Sequence, residues 1–253
     1  MYLRNITTIL SIISILIFTG CTVNSKTANQ KQPGFDATSS DQKAIEIVDK
    51  VMVAVGGQKN WNETRFIVWD FFGSRKLYWD KMTGNVRIVS LKDNFIVLVN
   101  IHNMTGKVEK NGKEITNPDT LQKFLTIGKS MWINDSYWLV MPFKMKDPGV
   151  NLKYMRQDTT SEGKVADVIQ LTFDSVGETP ENKYEVYVDT ETNLVAEWAY
   201  FKNSKDEKPE FRNPWRHYKQ YGKILLSFDR GNGRFLTDIE VLDEMPTELF
   251  TDF

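Results

Sequence analysis

The sequence predicts a mainly β, α+β domain: one large curved antiparallel sheet, or incomplete β-barrel, of about 10–12 strands with two main helices packed on it. Three observations carry this reading. From residue 64 onward, short segments rich in β-branched and aromatic residues recur, separated by Gly- and Asn-containing turns, as in a hairpin meander. Aromatic residues make up 12% of the chain, with seven Trp, and many lie in those segments. The strand–helix alternation that builds a parallel nucleotide-binding sheet is absent.

Taken in order, the chain opens with a different device. Arg4 supplies a small positive region, and Ile6 to Phe18 is apolar apart from Thr and Ser. That run is shorter than the roughly 20 residues a membrane span needs and has the length of a signal-peptide core. It ends in Phe18-Thr19-Gly20-Cys21, and Cys21 is the only cysteine of the chain. Small residues before a cysteine admit a peptidase, and the thiol is an acylation point. The segment resembles the bacterial lipobox, with Phe18 where an aliphatic residue is usual. The other reading is a buried cysteine in a core or spanning segment. On the lipobox reading, residues 1–20 are a signal peptide, Cys21 is the lipid attachment site, and residues 21–40 are a polar tether. The domain then occupies residues 41–253. Two or three acyl chains anchor a protein firmly where one does not. Thr22 is not the Asp that retains some lipoproteins in the inner membrane, so the expected address is the outer membrane.

Within the domain, Ile45, Val48, Met52 and Val55 recur at helical spacing behind Asp41, with Gly56-Gly57 as a stop. Strand patterns follow at 64–72, 74–82, 86–91 and 95–101, with Thr83-Gly84-Asn85 and Lys92-Asp93-Asn94 as turns. Pro118 then opens a second helix with Leu121, Phe124, Leu125, Met131 and Trp132 as its apolar set and Asn134-Asp135 as its end. A second meander covers 151–155, 165–173, 183–189, 194–201, 215–221, 223–229 and 235–242. Its turns are Glu191-Thr192-Asn193, Gly222 and Arg230–Arg234, the last read as a hairpin.

Charge and motifs exclude more than they assign. The chain carries 32 Lys and Arg against 33 Asp and Glu, with no basic run, which argues against a nucleic-acid partner. Thr126–Ser130 ends like a phosphate loop, but Lys123 stands where that motif needs glycine. Asp229–Glu240 has the length of a calcium loop, but Gly231 and Gly233 replace its first internal ligands. With two histidines, His102 and His217, and one cysteine, zinc spacing is absent, as is a nucleophile elbow. His102 reads as a strand-end histidine. No metal or cofactor is expected, and an enzyme would have to rely on scattered carboxylates such as Asp135, Asp147 or Asp189.

Two features remain, each with two readings. The strand aromatics, including Trp69, Phe71, Trp79 and Trp198, either fill an ordinary β core or wall a cavity for an apolar ligand. The segment Asn134–Val150, with Trp138, Met141 and Phe143 interrupted by Pro142, is either a mobile lid or a buried crossover. On the functional reading, Trp69, Phe71, Trp79, Trp138, Met141, Phe143 and Trp198 form the candidate ligand-binding set.

The strand-turn-strand Trp79-Asp80-Thr83-Gly84-Arg87, set between a lipobox and first helix on one side and a helical insertion and second meander on the other, resembles the lipoprotein-sorting fold of LolA and LolB. Residues 135–150 and 184–201 look closer still to an uncharacterised branch of bacterial envelope lipoproteins with that fold. The resemblance covers about residues 40–245 and implies an incomplete antiparallel barrel with a helical lid, whose cavity takes acyl chains. Transfer of apolar area, worth ~0.8 kcal/mol per CH₂, would then be its work. No binding residue of the sorting proteins maps onto this chain. The expectation is a monomeric, lipid-anchored carrier or receptor; the alternative is a non-catalytic interaction module with a filled core.

Overall fold

A computed structural model describes residues 32–90, 92–174 and 177–253. Residues 1–20, Cys21 and the tether as far as residue 31 lie outside the described residues. Within them, fourteen strands form three antiparallel sheets beside three α-helices, and the largest sheet does not close into a barrel. The mainly β antiparallel architecture read from the sequence is thus the observed one. The strand number rises because the 106–114 segment forms a hairpin and Phe211–Pro214 pairs separately.

Helix α1 (Gln42–Ala54) buries Ile45, Val48 and Met52 on one face, with Ala44, Ile47 and Val51 beside them. Asp41 stands at its N-cap, but its carboxylate accepts from the backbone N–H of Tyr154 instead of capping the helix. Ser40 Oγ accepts from Leu152 N–H and Asp41 N–H donates to Leu152 O, so these residues cover the edge of strand β7 (Val150–Thr159). The last residues assigned to the tether are packed: Phe35 lies against the core and Asp36 accepts from Thr38 N–H. Gly56 ends α1 at φ +121°, where a Cβ would lie 2.7 Å from Lys223 O. The stop read at Gly56-Gly57 is thus the observed end of α1, and a second helix starts at once. Gly57–Glu63 forms the short α2.

Strands β1 (Phe66–Phe71), β2 (Arg75–Asp80), β3 (Asn85–Ser90), β4 (Phe95–Asn100), β5 (Gly106–Lys110) and β6 (Lys113–Glu114) follow as a meander. Strand β14 (Leu236–Leu242) pairs with β1 at the other edge, giving the order β14-β1-β2-β3-β4-β5-β6. The second sheet has the order β11-β10-β9-β8-β7, with β8 at Val165–Phe173, β9 at Lys183–Asp189, β10 at Val195–Phe201 and β11 at Phe211–Pro214. Strands β12 (Arg216–Tyr221) and β13 (Ile224–Asp229) make a separate ribbon. Arg230–Arg234 forms the hairpin turn expected, closed by Arg230 N–H to Arg234 O and an antiparallel bridge between Asp229 and Phe235, after which the chain joins the large sheet as β14.

One turn design recurs three times. Asp80, Asn100 and Asp189 each end a strand, accept from the N–H groups two and three residues on, and close a backbone bond from the residue four on. That fourth residue, Gly84, Met104 or Asn193, has positive φ. In the Trp79–Arg87 stretch, then, Asp80 builds the turn, while Arg87 donates to the carbonyls of Leu249 and Asp252 and holds the C-terminal segment.

Helix α3 corrects the sequence reading most. It spans Pro118–Lys144, running through Asn134-Asp135 and including Pro142. Asn117 caps it by accepting from Thr120 N–H. Its N-terminal half packs on β3, β4 and β5 and the helix reaches β13. Gly128 permits this approach, since a Cβ there would lie 2.6 Å from Val97 Cγ1. Asn134-Asp135 does not end the helix because Asp135 is buried and receives both Nε and Nη2 of Arg75 at 2.7 Å. Pro142 withholds the N–H that the carbonyl of Trp138 would receive. Arg230 replaces it, donating from Nη2 at 2.6 Å and Nε at 3.2 Å. The helix therefore continues one turn past the point where local rules end it.

Candidate ligand cleft

On α3, Ser130, Ile133, Asn134, Tyr137 and Trp138 follow one another at three- and four-residue spacing, so they form a single stripe. This stripe faces Phe173 at the end of β8, Gly177–Thr179, Tyr184 on β9 and Trp198 on β10, across a cleft of about 260 Å³. A second cleft of about 210 Å³ adjoins it, lined among others by Trp132, Lys144, Asp147 and Pro148. Ile133, Tyr137, Phe173 and Gly177 line both and so form the partition. Across the first cleft, Ser130 Oγ donates to Glu178 Oε2 at 2.9 Å.

The sheet wall follows from strand register. Tyr184 pairs with Tyr200, and Tyr200 with Phe211, so the three share one face of β9, β10 and β11. Trp198, two residues before Tyr200, points to the same face and is fully buried as the floor. Tyr184 stacks on Trp198 with centroids 5.0 Å apart and planes at 13°. Trp138 meets Trp198 edge-on at 4.8 Å. Burial pushes the Tyr184 hydroxyl up to about 12 and the Tyr137 hydroxyl well above the usual phenol range, so both are neutral phenols at physiological pH. Tyr137 Oη, Trp198 Nε1 and Trp132 Nε1 are buried without a hydrogen-bond partner.

Of the seven residues expected to bind an apolar ligand, Trp138 and Trp198 line this cleft. Trp69, Phe71, Trp79, Met141 and Phe143 are buried in the core cluster. There Phe143 stacks on Trp61 at 4.4 Å and Trp79 meets Trp132 at 5.1 Å. Tyr187 points to the opposite face of the second sheet with Ala199 and Phe201. Sequence reasoning missed Tyr137, Phe173 and Tyr184. Alternation along β9 does separate Tyr184 from Tyr187, but which face meets α3 is not written in β9.

The carboxylates considered for catalysis are dispersed. Asp135 pairs with Arg75, and Asp147 with Lys144. Asp189 accepts the turn N–H groups, with Lys164 at 3.7 Å. Among the described residues no three His, Asp or Glu side chains gather at metal-ligand spacing, and no helix is long and apolar enough to cross a membrane. His102 is exposed just after β4, packed against Gly84.

No protein-family model matches the chain, and no curated protein matches it in sequence. Among solved structures, a DUF1329 family protein from Desulfovibrio piger matches at 11% identity with a TM-score of 0.46, over 82% of this chain and 96% of that one. MucB matches at 13% identity and a TM-score of 0.28, over 74% of this chain and 66% of its own. MucB in complex with MucA(peri) matches at 11% identity and a TM-score of 0.25, over 83% and 60%.

Proposed function

We propose that this chain is a bacterial envelope lipoprotein, anchored through acylated Cys21, that carries or receives an acyl chain or comparable apolar ligand without doing chemistry on it. The observation behind this is the cleft along α3, a concave site with aromatic walls and a few polar groups, the usual make-up of small-ligand sites. Each cleft alone falls below the ~300 Å³ at which ligand pockets usually begin, while the adjoining pair, opened by movement of Tyr137 or Phe173, reaches that range. The apolar run ending at Cys21 supports the anchor, and Thr22 supports the outer membrane as its address.

The test uses the chain purified from a bacterial host. Mass spectrometry of an organic extract is expected to return a stoichiometric lipid, and the delipidated protein to take up a fluorescent fatty acid. Protein that arrives empty and takes up no probe rejects the carrier reading and leaves the interaction module. Radiolabelled palmitate should enter the wild-type chain and not Cys21→Ala; equal labelling rejects the anchor.

A further inference from the structure

The three unpartnered donors beside the two adjoining clefts do not fit a bare hydrocarbon. Trp198 Nε1 and Trp132 Nε1 can only donate, and Tyr137 Oη, buried on the partition, has neither donor nor acceptor beside it. In the empty cleft these atoms are already closed off from water with nothing to bond, at about 1–3 kcal/mol for each, and a purely apolar occupant would leave that cost in place. An occupant with a hydrogen-bond acceptor would relieve that cost. The charges nearby narrow the acceptor further. Glu178 lines the first cleft and Asp147 the second, and the one lysine there, Lys144, is already paired with Asp147. A carboxylate or phosphate would meet acidic neighbours and no free cation among the residues lining these clefts.

We propose that the cleft recognises a neutral acyl ester or amide, its carbonyl oxygen accepting from the Tyr137 hydroxyl and the Trp198 indole N–H while its hydrocarbon chain lies against Phe173, Tyr184 and Trp138. This rests on the cleft being the ligand site. It adds the polar feature that the ligand must carry and the residue that reads it. Tyr137 thereby has two connected tasks, since the ring that divides the two clefts also carries the hydroxyl that an arriving carbonyl would engage. The neutral state of that phenol suits it to donate.

The full-length chain, wild type and Tyr137→Phe, is loaded with the neutral fluorophore N-phenyl-1-naphthylamine. This is displaced in turn by a long-chain fatty-acid methyl ester, the free acid and the alkane of equal length. In wild type the ester should displace at about ten-fold lower concentration than either the alkane or the acid. In Tyr137→Phe the ester should lose about ten-fold and the alkane stay unchanged. The empty variant should also melt at or above the wild-type temperature, because an unsatisfied buried hydroxyl has gone; a merely structural tyrosine would lower it. Equal displacement by ester and alkane, or an ester affinity untouched by Tyr137→Phe, overturns the carbonyl assignment and leaves the apolar carrier standing. A fluorophore that never binds wild type overturns both.

Discussion

Arg230 donates two hydrogen bonds to the carbonyl of Trp138, the acceptor that Pro142 leaves without a helical partner four residues on. The guanidinium is fully buried, donates to no carboxylate among the described residues, and is otherwise held by Ser227 Oγ and the carbonyls of Ser227 and Asp229. It lies 3.4 Å over the Trp215 ring. Burial pushes its pKa down, to about 9, which keeps it charged at neutral pH. A side chain 92 residues away in sequence thus finishes α3 and fixes Trp138 at the cleft wall.

Replacing that cation should uncover the proline's effect. Arg230→Met leaves several buried carbonyls unmet and is expected to cost about 3 kcal/mol or more in urea unfolding. Pro142→Ala supplies a new N–H to the Trp138 carbonyl, so it should recover about 1 kcal/mol in the Arg230→Met background and little in wild type. Strict additivity of the two changes would show that the groups do not share this acceptor.

The pair Arg75–Asp135 makes stability sensitive to pH once broken. Burial pushes the Asp135 carboxyl up, against the pull of the Arg75 hydrogen bonds, and those bonds raise the Arg75 guanidinium. Arg75→Gln removes the opposing pull and leaves a buried carboxylate unpaired, at about 3 kcal/mol at pH 7. A carboxyl raised in the folded state binds a proton that the unfolded chain releases, so its contribution grows as pH falls through the folded value. The deficit of Arg75→Gln relative to wild type should therefore shrink between pH 7 and pH 5. A deficit that widens on acidification would contradict the assignment.

Gly128 offers a test of helix docking. Alanine raises helix propensity by up to about 1 kcal/mol, yet its Cβ would press on Val97 Cγ1. Gly128→Ala is expected to destabilise by about 1–2 kcal/mol on balance, with Val97→Ala in the same chain relieving the clash. Net stabilisation by Gly128→Ala alone would mean that α3 does not rest on β4 at this point.

The cleft can be filled from its own helix. Ile133→Trp puts a bulky indole in place of a branched aliphatic chain on the partition between the two clefts. Folding stability should change by less than about 1 kcal/mol, since Ile133 is only half-buried. Uptake of a fluorescent apolar probe should fall at least ten-fold. Unimpaired uptake would place the probe elsewhere on the molecule.

Strands and turns were the legible part of this chain because their signals are local. Period-two alternation and the Asp80 and Asp189 turns need only a few neighbouring residues. The end of α3 is not legible for the opposite reason: Asn134-Asp135 and Pro142 are stop signals by local chemistry. The partners that cancel them, Arg75 and Arg230, lie far away in sequence. Of the candidate pocket residues, Trp69 and Trp198 look alike in sequence, as aromatic residues in apolar strands. One packs into the core cluster away from the clefts, and the other forms the cleft floor.

By itself the sequence determined a meander of antiparallel strands, a first helix with one apolar face and a polar stretch joining them to an apolar N-terminal run. Strand alternation and turn geometry are settled within a few residues of chain. Only the tertiary structure decided how far α3 runs and which aromatic rings stand open beside it. The first depends on buried charges meeting partners distant in sequence, since an unpaired charge or carbonyl in the interior costs more than any local preference supplies, and the second on which face of the second sheet meets α3.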